Sequence, residues 1–80
     1  MNMTVKPVRK FNAKEIRTIR ESLGFTWTIF ASILGVSRRT VESWEAGINT
    51  PAGSSARLIS IMQNDSDFVH KYEILGKSDD

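Results

Sequence analysis

Eighty residues with no cysteine, a single histidine at His70 and a formal net charge of +2 leave room for one domain, and too little buried surface for a core together with a deep catalytic cleft, so no enzyme is expected. Disulfides and thiolate zinc sites are excluded, and one imidazole builds neither a metal site nor a triad, so no cofactor, metal or small-molecule substrate is expected. The N-terminus lacks a continuous apolar run and no stretch nears the roughly 20 apolar residues of a membrane span, which predicts a soluble, cytoplasmic protein without membrane contact.

In chain order, Met1 to Lys10 has no periodicity and carries Lys6, Pro7, Arg9 and Lys10, which predicts a flexible basic arm. A first helix starts after Asn12, an N-cap with Glu15 three residues on, and runs to Leu23 before Gly24 stops it, with Ile16, Ile19 and Leu23 as its apolar stripe. Thr26 caps a second helix that sets Phe30, Ala31 and Leu34 on one face and ends in a tight turn at Gly35. Ser37 caps a third that ends at Gly47, turns Val41, Trp44 and Ala46 inward and points Arg38, Arg39, Glu42 and Ser43 outward. After a loop with Asn49 and Pro51, the Gly53-Ser54-Ser55 run supplies cap candidates for a fourth helix that includes Leu58, Ile59, Ile61 and Met62. Asp65-Ser66-Asp67 punctuates again, and a last helix over 66–75 carries Phe68, Tyr72 and Leu75 on one stripe, with a disordered tail over 76–80. The pattern is all-α, with one five-helix domain over 11–75.

Charge is spread unevenly. Residues 1–57 hold nine basic and four acidic side chains, a balance of +5, whereas residues 58–80 hold two basic and five acidic, a balance of −3. Such asymmetry suits a nucleic-acid footprint at one end of the molecule and another task at the other.

The ordered series Ile19-Arg20-Glu21-Ser22-Leu23-Gly24-Phe25-Thr26, Phe30-Ala31, Leu34-Gly35-Val36-Ser37, Thr40-Val41, Trp44-Glu45 and Gly47 resembles the Cro/phage-repressor (XRE) helix-turn-helix family, over about residues 13 to 64. Pro51-x-Gly-x-x-x-Arg-Leu resembles the branch with antitoxin-type autorepressors and small prophage regulators. The resemblance implies a compact five-helix, lambda-repressor-like domain with its helix-turn-helix at helices 2 and 3, which binds double-stranded operator DNA as a homodimer. It also implies an internal ion pair between Arg20 and Glu45. One departure stands out: the family commonly has a phosphate-touching Gln where this chain has Trp27, and Glu where it has Ile29. Two readings stand open, in which Trp27 folds back on its own domain with Ile29 at the core margin, or both meet a partner.

Base reading in the major groove needs side chains with several donors or acceptors near the start of a helix, and Arg38, Arg39, Glu42 and Ser43 meet that need. Arg pairs with guanine and Glu accepts from cytosine, so half-sites containing G·C pairs are expected. Phosphate contacts fall to helix N-termini, with Thr26, Trp27, Thr28, Thr40, Asn49 and Ser54 as candidates and Lys6, Arg9 and Lys10 adding charge. Trp44 is expected in the core and His70 on the surface. Phe68, Val69, Tyr72, Ile74 and Leu75 offer a dimerisation surface, the alternative being that the last helix closes its own domain's core. The expected function is a sequence-specific transcriptional regulator, a homodimeric repressor or autorepressor on a palindromic operator; the alternative is an antitoxin-like or phage-related module that mainly holds a toxin or other protein partner.

Overall fold

Local capping chemistry sets where the helices begin. The computed structural model describes residues 2–76, with five helices in the order α1 (Ala13–Ser22), α2 (Trp27–Leu34), α3 (Arg38–Glu45), α4 (Gly53–Asn64) and α5 (Phe68–Lys71), and no strand among them. Met1 and most of the tail expected over 76–80 lie outside the described residues. Asn12 accepts from the Glu15 N–H at 2.8 Å while the Glu15 carboxylate accepts from the Asn12 N–H at 3.0 Å, a reciprocal box that starts α1. Thr26 accepts from the Ile29 N–H and Ser37 from the Thr40 N–H, each at 3.1 Å, and these bonds start α2 and α3. The fourth helix differs from expectation: its N-cap is Ala52 without a side-chain cap, so Gly53, Ser54 and Ser55 form its first turn.

One closure recurs at the helix ends. At the end of α2 the Val36 N–H bonds the Ala31 carbonyl at 3.0 Å and the Gly35 N–H bonds Ser32 at 3.2 Å, with Gly35 at φ +71°. The same pair of bonds closes α1 around Gly24 and α3 around Gly47. A side chain at Gly35 meets nothing within 4 Å, so its cost is backbone strain alone. Gly35→Ala is therefore expected to destabilise by about 1–2 kcal/mol. Gly53→Ala, at an ordinary helical φ with equally open space, should instead stabilise by about 0.5–1 kcal/mol. Urea midpoints of the two variants check both signs.

The core joins one residue set from every helix. Phe11, Ile16, Ile19, Phe30, Ala31, Leu34, Val41, Trp44, Ala56, Ile59, Met62 and Val69 are buried, and Phe30, Val41 and Ile59 are fully inaccessible. Helix α2 packs against α3, α1 supports α3 from behind, and α5 docks on α4. Trp44 is thus a core residue; Ala46, expected inward, is exposed at the end of α3.

Two elements depart further from expectation. The last helix spans four residues instead of ten, because Glu73 takes a left-handed φ of +56° and the Ile74 N–H turns back onto the Val69 carbonyl at 2.8 Å. Val69 is 1% exposed and belongs to its own domain's core, so it is withdrawn from the dimerisation set; Phe68 and Leu75 are half-buried, and only Tyr72 and Ile74 are exposed. At the other end, the arm expected over residues 1–10 is tied down at Lys6 and Arg9. Arg9 donates to Glu15 at 2.6 Å and to Gln63, its guanidinium lies 4.6 Å from the centre of the Phe11 ring, and Arg57 donates to the Lys6 carbonyl at 3.1 Å. Arg9, expected to offer free charge to phosphate, is committed within the domain.

Candidate nucleic-acid interface

Helix α3 can face outward because its other side is fixed in three places. Val41 and Trp44 are inserted in the core, the left-handed turn at Gly35 sets its angle to α2, and Glu45 at its end is tied to α1. Arg20 holds Glu45 in a two-pronged ion pair, with Nε donating to Oε2 at 2.7 Å and Nη2 to Oε1 at 3.0 Å, while Nη1 donates to the Phe25 carbonyl at 2.9 Å. Arg17 and the Trp27 indole N–H add donors to Glu45 Oε1 at 3.4 and 3.1 Å. The Glu45 side chain is 2% exposed, so each of these donors offsets the cost of burying its charge. Burial pushes the Glu45 carboxyl up, but the Arg20 hydrogen bond, the Trp27 N–H, the Arg20 charge and the Arg17 hydrogen bond together outweigh it and hold the group below its ordinary value. The Glu45 hydrogen bond likewise raises the Arg20 guanidinium against its partial desolvation.

On the outward side, Arg38, Arg39 and Glu42 come together over the first turns of α3. Arg38 and Arg39 are exposed, and Glu42 lies one turn from Arg38 with a long 3.7 Å approach between their charged groups. So exposed a pair costs little to open, and both side chains are available to a ligand. Among the described residues Arg39 has no ion-pair partner.

The polar candidates divide. Ser43 is half-buried and its hydroxyl donates to the Thr40 carbonyl at 2.7 Å, so its proton serves the helix and a base could use only its acceptor side, which the Asn49 amide already approaches, a narrower role than expected. Thr40 shares a 2.8 Å bond with the Ser37 hydroxyl, and Asn49 reaches Ser43 at 3.4 Å, so these hydroxyls and the Asn49 amide link both ends of α3. Thr26 serves as a cap, while Thr28 and Ser54 are exposed in the first turns of α2 and α4. Trp27 does not fit its expected phosphate contact: its single donor is used by Glu45, and the ring is folded back against its own domain. Ile29 remains 40% exposed and does not join the core.

Sequence reasoning missed Arg17, Trp27 and Phe25 as members of the Glu45 cluster. Arg17 alone carried a signal, because it lies one turn before Arg20 on the same face of α1. His70 is exposed, no cluster of metal-ligating side chains occurs among the described residues, and no helix there is long and apolar enough to cross a membrane.

Similarity to known proteins matches this geometry. Residues 16–61, from α1 into α4, match the helix-turn-helix family HTH_3. Over 49 residues the chain is 39% identical to the antitoxin HigA-2 of Vibrio cholerae serotype O1, a match that covers 61% of this chain and 47% of that protein. Over 53 residues it is 40% identical to a protein of Archaeoglobus fulgidus whose name places it among HTH-type transcriptional regulatory proteins, covering 66% of this chain and 17% of that one. The chain thus spans about half of the first relative and a small part of the second. A supported α3 with a basic outer face, set in an all-α lambda-repressor-like fold, accounts for the likeness in physical terms, and the chain belongs to the XRE-type helix-turn-helix family of DNA-binding domains.

Proposed function

We propose that this protein is a homodimeric, sequence-specific repressor that occludes an operator, in the manner of an autorepressor. The observation that carries the reading is the outer face of α3, where Arg38, Arg39 and Glu42 project from a helix whose inner face is fixed by Val41, Trp44 and Glu45. Guanidinium groups bond guanine edges in pairs and a carboxylate accepts from cytosine, and both kinds of group stand on the first turns of α3, the part of such a helix that would enter the groove. Thr28, Asn49 and Ser54 are the exposed polar groups that would meet phosphates. Tyr72 and Ile74, with the accessible edges of Phe68 and Leu75, supply the pairing surface, and a two-fold pair would read half-sites about 34 Å apart.

A second reading, antitoxin-like capture of a protein partner, is favoured by the name of the Vibrio relative and by the same exposed Tyr72 and Ile74, which are 65% and 41% accessible. The two readings divide in one experiment. Sheared genomic DNA is passed over the purified protein, and the retained fragments are titrated at several salt concentrations with the stoichiometry measured by sedimentation. The repressor reading expects a few fragments with an inverted repeat, two chains per site, and affinity at least about 1,000-fold above that for random DNA. Uniform retention of all fragments overturns sequence-specific reading, retention of none at moderate salt overturns DNA binding in favour of partner capture, and one chain per site overturns the dimer.

A further inference from the structure

Trp27 stands where the structure joins the buried Glu45 cluster to the outer face of α3. Its indole N–H donates to Glu45 Oε1 at 3.1 Å, which fixes the ring. The guanidinium carbons of Arg20 and Arg38 both lie over that ring, at 5.5 and 5.2 Å from its centre. Both distances are within the reach of a cation–π contact. Arg20 is already neutralised by Glu45, so the ring's remaining attraction is available to Arg38, whose only ionic partner among the described residues is the distant Glu42 carboxylate. Arg38 is otherwise a long, exposed side chain with many rotamers to lose on binding.

From this geometry we infer that Trp27 is a specificity-determining positioning residue, which holds the Arg38 guanidinium in a reading pose and transmits to it the rigidity of the Arg20–Glu45 pair. The inference rests on the DNA-reading function proposed above. It assigns Trp27 no contact with phosphate. The ring lowers the entropy that Arg38 loses in the groove and restricts the directions its planar fork can take, so the effect falls on the base pair that Arg38 reads. Arg39, which has no such platform, is the internal control.

The test is a double-mutant cycle on operator and random duplexes with Trp27→Leu, Arg38→Ala and their combination, beside Trp27→Phe, which keeps the ring and loses the N–H. Trp27→Leu is expected to weaken operator binding by about threefold to fivefold, leave random DNA nearly unchanged, and relax preference at one base pair per half-site. In the Arg38→Ala background the same change should have no further effect, and Trp27→Phe, whose ring is no longer fixed to Glu45, should fall between Trp27→Leu and the wild type. If Trp27→Leu does not fold, the side-chain proton shifts of Arg38 in the wild type and in Trp27→Phe decide the matter: a ring-current displacement seen for Arg38 and absent for Arg39 supports the contact, and equal shifts overturn it. Additive losses in the cycle, with the base preference intact, overturn the role of Trp27 while leaving the reader role of Arg38 standing. An Arg38→Ala loss that is equal on operator and random DNA overturns the DNA-reading function itself, and this proposal with it.

Discussion

Replacing Arg38 and Arg39 together with alanine is expected to weaken operator binding by at least about 30-fold, since each good Arg–guanine pair contributes on the order of 1–3 kcal/mol of discrimination and about 1.4 kcal/mol is a factor of ten. Random DNA should lose only the general attraction of two charges, about tenfold or less at moderate salt. Stability should hardly move, because both side chains are exposed and Arg38 gives up only a long contact with Glu42 and an exposed cation–π contact with Trp27. Titration of operator and scrambled duplexes at one salt concentration, with a melting curve of the double variant, separates these effects. Equal loss on both duplexes makes the two arginines phosphate contacts and removes them as readers.

Arg20→Ala acts on the other side of α3. It takes the two-pronged partner from a carboxylate whose side chain is 2% exposed and leaves that charge with Arg17 and Trp27. Removing one partner of a buried pair typically costs about 3–5 kcal/mol, out of a total near 5–15 kcal/mol for a domain. For so small a domain each kcal/mol lowers the melting temperature by about 4–8 °C, so a fall of more than about 12 °C is expected. Arg20→Lys should recover only part of it, because an ammonium cannot make the same two-pronged contact.

The pH dependence follows from the sign of the Glu45 shift. Its carboxyl lies below its ordinary value in the folded chain, so the unfolded chain binds the proton first and the pair stabilises the fold in full above the ordinary glutamate range, about 4.3. That contribution is lost as pH falls through the depressed value. Arg20 is raised, and its share is lost only at strongly alkaline pH. The urea midpoint of the wild type should therefore fall more between neutral and acid pH than that of Arg20→Ala, and the gap between the two should narrow toward acid. A gap independent of pH would contradict the assignment.

What the sequence disclosed and what it withheld divide along chain distance. Caps at Asn12, Thr26 and Ser37 and the glycine closures at Gly24, Gly35 and Gly47 depend on bonds across a few residues, so their residue types announce them. The end of α5 uses the same closure with Glu73 in the glycine position, and without the glycine the stripe of Phe68, Tyr72 and Leu75 read as a continuing helix. Ala52 gave no cap signal because no side chain caps α4. The Arg20–Glu45 link spans 25 positions and was visible only through family resemblance; of the other contacts to the same carboxylate, Arg17 was marked only by its place one turn before Arg20, and Trp27 had no local mark. The outer face of α3 was legible from helical periodicity alone. Which of its side chains remain free was not, since that depends on the bonds that Ser43 and Arg38 make within the fold.

The central claim is that α3 reads sequence through Arg38 and Arg39. It is tested most directly by selecting binding sites from a pool of random duplexes, in parallel, with the wild-type protein and with the double alanine variant. The wild type is predicted to recover an inverted repeat with G·C pairs in each half-site, and the variant to recover no motif or one that has lost those pairs. Recovery of the same motif by both proteins, or of none by the wild type, would contradict it.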